Sequence, residues 1–197
     1  METVVYILLA LTSLIAVTFI IERGVALRWK RVVPTAVEEA VDAYRTEDDL
    51  PELREVCEKR SSPLGRLLLT AADHLEWPKA ENEDAVQSRA RHEVVRLERG
   101  LVVLEIVVGI APLLGLVGTI YGMITLFSGL GQSGISDNAA LARGIALILN
   151  ATLAGLLIAI PSLIFWSYYS KKVETLAVEM ETLCSEFLRR AYRGKNQ

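Results

Sequence analysis

Three stretches of the chain, residues 3–21, 101–127 and 144–169, are apolar almost without interruption, and nearly all charges fall between or after them, in 22–100 and 170–197. A hydrocarbon core of about 30 Å takes roughly 20 apolar helical residues, and each stretch is long enough to cross it. The pattern predicts an all-α membrane protein with three transmembrane helices and long cytosolic helical extensions. The expected boundaries are 1–22 for the first span, 23–100 for a cytosolic helical domain, 101–127 for the second span, 128–140 for an outer loop, 141–170 for the third span and 171–197 for a cytosolic C-terminal helix.

Basic residues set the orientation. Arg23, Arg28, Lys30 and Arg31 follow the first span, Arg89, Arg91, Arg96 and Arg99 precede the second, and Lys171 and Lys172 follow the third, whereas Ser128 to Ala140 contains no Lys or Arg. The positive-inside rule then puts the N-terminus outside, in the periplasm, and the C-terminus in the cytoplasm. The first apolar stretch lacks a basic leader and ends at Glu22–Arg23 without a small-residue cleavage site, so it is expected to be retained rather than cleaved.

Prolines punctuate the region from 22 to 100. Pro34 is expected to open one helix, Asp49 with Pro51 a second, and Ser62–Pro63 a third ending near Trp77–Pro78. No proline then intervenes between Glu81 and Pro112, which predicts one continuous helix over residues 81–127, about 70 Å long at 1.5 Å per residue. Val173, Leu176, Met180, Leu183 and Leu188 recur at helical spacing in the tail and suit packing on that stalk. On this reading the fold has little water-soluble core of its own, which favours an oligomer.

Composition excludes more than it selects. Hydrophobic residues make up 52% of the 197 and charged residues 23%, with a net charge of −3, so no basic surface suits nucleic acid. Cys57 and Cys184 read as packed thiols, and His74 and His92 have no ligand at metal spacing. No nucleophile with its base and no glycine-rich phosphate loop is visible, so no enzymatic site, metal or organic cofactor is expected.

The chemistry is concentrated in the second and third spans. In Ala111–Pro112–Leu113–Leu114–Gly115–Leu116–Val117–Gly118–Thr119–Ile120–Tyr121–Gly122, the glycines at 115, 118 and 122 share a helix face with Thr119. Small residues let helix backbones approach closely in lipid, and packing alone accounts for the glycines. The third span offers Asn150–Ala151–Thr152–Leu153–Ala154–Gly155 and then Ala159–Ile160–Pro161. Thr152 could bond its own i−4 carbonyl. Asn150 points about 200° around the helix from it. Glu105, the acid within the second apolar run, lies 14 residues before Thr119, about 21 Å nearer the cytosol and within about 40° of the same face. It reads either as part of an inner pathway mouth or as one half of an ion pair. Arg143 is expected to pair with Asp137 or to reach the surface.

Taken together, Arg96–Leu97–Glu98–Arg99–Gly100–Leu101, the run from Ala111 to Met123, Gly144–Ile145–Ala146, Ala151–Thr152 and Ala159–Ile160–Pro161 resemble the ExbB/TolQ/MotA proton-channel family, over roughly residues 60–170. Length and three spans resemble the ExbB and TolQ branch. The resemblance implies a homopentamer in the bacterial inner membrane whose second and third spans line a pore around the single helices of an ExbD- or TolR-like dimer. It implies protons as the coupling ion, an aspartate on the partner helix, Thr119 and Thr152 as pore threonines, and work delivered to a TonB- or TolA-like protein. Gly115, Gly118, Gly122, Gly155, Pro112 and Pro161 fall on packing positions of the same motifs. The chain departs from the family's usual G-I-A-E by carrying Leu147 in place of the acid. A passive scaffold whose glycines merely pack helices, and a channel that needs no partner, stay open as other readings.

Overall fold

The computed structural model describes residues 2–133 and 138–194. Among them all regular structure is helical: α1 (Glu2–Ala26), α2 (Trp29–Val32), α3 (Thr35–Ala43), a single 3-10 turn (Glu47–Asp49), α4 (Leu50–Lys59), α5 (Pro63–Asp73), α6 (Lys79–Glu98), α7 (Leu101–Ser133) and α8 (Asn138–Gly194). The chain divides into two compact units, one made of Met1–Arg23 with Gly100–Tyr168, the other of Gly24–Arg99 with Tyr169–Gln197.

In the first unit α1, α7 and the N-terminal half of α8 pack through small side chains. Ala16, Val107, Ala111 and Ala159 form its buried centre. Their bulkier neighbours point outward, so that Leu113, Leu147 and Leu157 are each exposed in the single chain. A helix apolar on every side is covered by lipid or by other protein. Three helices are long and apolar enough to cross a membrane: Thr3–Ala26, Leu101–Gly129 and a span within Leu141–Arg193. Hydroxyls on these helices are satisfied locally. Thr12, Thr18, Thr125, Ser128 and Ser162 each donate to the carbonyl four residues back, at 2.8–3.0 Å.

The second unit corrects the expectation that the fold lacks a soluble core. Val37 and Val41 of α3, Leu53 and Cys57 of α4, Leu64, Leu67, Leu68 and Ala71 of α5, and Leu176, Met180, Phe187 and Leu188 of α8 bury one another. Helices α3, α4 and α5 are short, but each carries an i, i+3, i+4 apolar face, and together with the face of α8 these close a core. The tail of α8 is therefore held by α3, α4 and α5 as well as by α6. Tyr44 and Phe187 meet edge to face at 4.9 Å between ring centres. Arg190 donates to the carbonyls of Val41 and Asp42 at 2.6 and 3.1 Å, which satisfies the open end of α3. Asn82 donates to the Ala71 carbonyl at 3.0 Å and to the Tyr192 hydroxyl at 3.1 Å, and that hydroxyl donates to the Trp77 carbonyl at 2.8 Å.

The helix expected to run unbroken over 81–127 is in fact two. Arg99 and Gly100 form a turn between α6 and α7. A methyl on Gly100 would overlap the Arg23 side chain, and glycine is itself a poor helix former, by about 1 kcal/mol relative to alanine. With 20 residues, α6 is about 30 Å long rather than one end of a 70 Å rod. Other boundaries move less. Pro34 precedes α3 and Asp49 precedes α4, while Ser62 caps α5, its hydroxyl accepting from Gly65 N at 3.0 Å. That helix stops at Asp73, short of Trp77. The first span continues past residue 22 to Ala26. The outer loop expected over 128–140 is helical through Ser133 and again from Asn138, because elongating a formed helix adds a hydrogen bond per residue and outweighs the local glycine penalty.

Candidate functional site: a threonine pair at a glycine-lined helix crossing

Within the first unit α7 and α8 run in opposite directions and approach through their smallest residues. A Cβ on Gly115 would lie 2.8 Å from the Ala151 carbonyl oxygen and 2.9 Å from Thr152 Cα, and one on Gly155 would lie 2.5 Å from the Ala111 carbonyl oxygen. Gly118 faces the Ala151 methyl at 2.8 Å and Val5 of α1 at 3.1 Å, and Gly122 faces Ile148 at 2.7 Å. Only hydrogen atoms fit at these positions, so the backbones come closer than any side chain would allow. Pro112 and Pro161 sit inside α7 and α8 without ending either helix. Each lacks the N–H that an interior residue donates, leaving a carbonyl one turn earlier without its helical donor.

This close approach brings the two threonines together. Thr152 Oγ1 donates to Thr119 Oγ1 at 3.5 Å, and Thr119 Oγ1 donates in turn to the Leu116 carbonyl at 2.7 Å. Thr152 thus turns to the neighbouring helix rather than to its own i−4 carbonyl, unlike the other hydroxyls described above. Both side chains are half-buried, and the surrounding residues are apolar. A hydroxyl both donates and accepts, so the pair forms a short directional chain that can accept a further donor at Thr152.

Glu105 is exposed on α7, on the first unit's surface. Leu147 is 64% exposed and lines a cleft of about 270 Å³ together with Tyr6, Gly122, Thr125, Gly144 and Ile148. Position 147, where the sequence departs from the expected G-I-A-E, thus carries an exposed apolar side chain. Asp137, one candidate partner of Arg143, lies outside the described residues.

Sequence reasoning missed two features. Val5, read only as part of an anchor, closes over Gly118. In the second unit Glu93, 1% exposed, receives Arg66 from α5 in a two-pronged pair at 3.0 and 2.5 Å, with Arg89 and Arg96 of its own helix at 3.3 and 3.4 Å. Burial works to raise the Glu93 carboxyl; the Arg66 hydrogen bonds and the charges of Arg66, Arg89 and Arg96 outweigh it and hold the group below the ordinary carboxylate value. The i−4 and i+3 arginines were a visible signal, whereas Arg66 is 27 residues away.

Residues 59–182 match the MotA/TolQ/ExbB proton channel family, and the chain belongs to that family. A putative biopolymer transport protein ExbB-like 1 of Synechocystis sp. is 36% identical over 164 residues, which cover 79% of this chain and 63% of the relative. Biopolymer transport protein ExbB of Aquifex aeolicus is 34% identical over 90 residues, 46% of this chain and 61% of the relative. Biopolymer transport protein exbB1 of Vibrio cholerae is 34% identical over 115 residues, 57% of this chain and 50% of the relative. The matches thus span between half and less than two thirds of the length of these relatives.

Proposed function

We propose that the chain is the channel-forming subunit of a proton-driven motor in the bacterial inner membrane, N-terminus periplasmic and C-terminus cytoplasmic. Five copies surround the single-span helices of an ExbD- or TolR-like dimer, and the assembly energises a TonB-like protein for transport; Tol-type envelope work through a TolA-like protein, or gliding, is the alternative task. The observation that carries this reading is the hydroxyl pair Thr119–Thr152, 3.5 Å apart at an otherwise apolar helix crossing. A packing contact alone would need no hydroxyls there. Protons pass beside these hydroxyls to and from an aspartate on the partner helix, and Glu105 rings the inner mouth.

A proton crossing the membrane releases about 2.3 kcal/mol per 100 mV, so one act of work on a large partner takes many protons. A five-fold ring around a two-fold partner has no single matching position, and each proton then advances the partner by a step of relative rotation.

The test uses the chain co-expressed with an ExbD- or TolR-like single-span partner, with proton uptake measured in inverted membrane vesicles. Thr119→Val and Thr152→Val, which keep shape and remove the hydroxyl, are expected to lower uptake at least about tenfold, within the range for loss of a positioned proton-transfer group. The corresponding Ser variants should keep most of it. Full uptake by Thr119→Val would return the protein to the class of passive scaffolds.

A further inference from the structure

One polar side chain of the third span takes no part in the threonine site. Asn150 precedes Thr152 by two residues and so projects about 200° away from it. The face of α8 that meets α7 is made by Ala151, Gly155 and Ala159, all buried, whereas Asn150 is exposed, and so are Leu153 and Leu157 beside it. Its carboxamide makes no hydrogen bond to any described residue.

Depth makes this exposure costly. The apolar stretch of α8 opens at Gly144, just after Arg143 and six residues earlier, so Asn150 lies about 9 Å along the helix from that end, within a hydrocarbon layer of about 30 Å. Lysine and arginine reach the interface on long stems, but an asparagine side chain is too short to do so from that depth. Acyl chains offer neither donor nor acceptor, and an amide left without partners in such a medium is strongly disfavoured. Protein therefore covers this face. A partner helix beside Thr119 and Thr152 would stand on the opposite side of α8. The chain that presents a matching span at the same height is another copy of this one, and a carboxamide both donates and accepts, as a patch repeated around a symmetric ring requires.

We propose that Asn150 is a contact residue between copies of this chain, its carboxamide hydrogen-bonded into the neighbouring copy's spans inside the membrane. The inference rests on the reading that several copies surround one partner and adds where one copy recognises the next.

The experiment reads assembly of the purified full chain in mild detergent, by native mass spectrometry across a dilution series, with helicity followed by circular dichroism. Asn150→Leu, which makes the span more apolar, should leave helicity unchanged and raise the concentration for half-dissociation by about tenfold, as loss of an interhelical amide hydrogen bond does. Asn150→Gln should stay close to the unmodified chain. A photo-reactive amino acid at position 150, activated in membranes containing the partner, should give an adduct of twice the chain's mass. Unchanged assembly of Asn150→Leu, or adducts only with lipid or with the partner, would overturn the proposal. Conduction is read separately: a dissociated Asn150→Leu alongside full uptake by Thr119→Val would keep the interface and remove the hydroxyl pathway.

Discussion

Adding one methyl group at Gly155 tests whether the helix crossing sets the threonine geometry. That carbon would lie 2.5 Å from the Ala111 carbonyl oxygen, 3.2 Å from the carbonyl carbon and 3.3 Å from Gly115 Cα, where ordinary contact begins at 3.4 Å. All three atoms are backbone, so no rotamer relieves the overlap, and α7 and α8 must part by about 0.9 Å. Overpacking of this kind costs about 1–3 kcal/mol, offset by about 1 kcal/mol from alanine's better helix propensity. The net expectation for Gly155→Ala is up to about 2 kcal/mol of destabilisation. The same substitution at Gly109, which has nothing within 4 Å, leaves only the propensity gain. Unfolding of the purified protein in detergent, followed by circular dichroism against temperature or denaturant, should therefore separate the two variants by about 1–3 kcal/mol with Gly109→Ala the more stable. The 3.5 Å hydroxyl contact would open past 4 Å in Gly155→Ala, so proton uptake should fall as well. Equal stabilities for the two alanine variants would refute the account of the crossing.

Glu93→Gln leaves Arg66 without its anionic partner and should destabilise the second unit by about 2–3 kcal/mol at neutral pH, read as a lowered thermal midpoint. Because the Glu93 carboxyl is held below the ordinary value of 4.5, its contribution is present above pH 4.5 and is lost as pH falls below it; thermal midpoints of the unmodified chain should drop between pH 5 and pH 3 more steeply than those of Glu93→Gln. Burial pushes the Cys57 thiol up to about 11 and the Cys184 thiol up to about 12, so at pH 8 on the order of a thousandth or less of either is thiolate, and alkylation in the folded chain should be at least about a hundredfold slower than in denaturant. Glu105→Gln should lower proton uptake severalfold without changing assembly; unchanged uptake would take Glu105 out of the pathway.

How much could be read from the sequence depended on the range of each interaction. The spans were legible because continuous apolar runs with arginines at their ends are a local signal. The break at Arg99–Gly100 was not, since the charged pattern of α6 passes straight into the apolar pattern of α7, and the close approach of the Arg23 side chain to Gly100 comes from 77 residues earlier. The core of the second unit was overlooked for a related reason. Each of α3, α4 and α5 is at most 11 residues, too short to stand as a helix in water, and becomes stable only when its apolar face meets the others and α8. In the threonine site the residue types were legible from the motif, whereas the hydroxyl-to-hydroxyl contact depends on two glycines on different helices meeting at one height. The angle between Asn150 and Thr152 was legible from helical periodicity, and what the fold adds is that Asn150 is exposed while Ala151, Gly155 and Ala159 are buried.

The polarity of the hydroxyl chain constrains how the proposed motor conducts. Thr152 donates to Thr119, and Thr119 donates to the Leu116 carbonyl, so the chain at rest ends in a backbone acceptor that has no proton to pass on. In the proposed motor, relay through the pair would require the Thr119 hydroxyl to turn from the Leu116 carbonyl, a rotation about one side-chain bond. Neither threonine stores charge, because a hydroxyl does not ionise in the physiological range. In the proposed motor, storage would belong to a carboxyl brought by the partner, with the threonines as its hydrogen-bonding neighbours. Leu147 lines a cleft of this same chain among whose residues there is no acid. Placing one there by Leu147→Glu should alter the pH dependence of uptake, because it puts a titratable group where this chain has none. An uptake profile identical to that of the unmodified chain would show that position 147 does not face the conducting path.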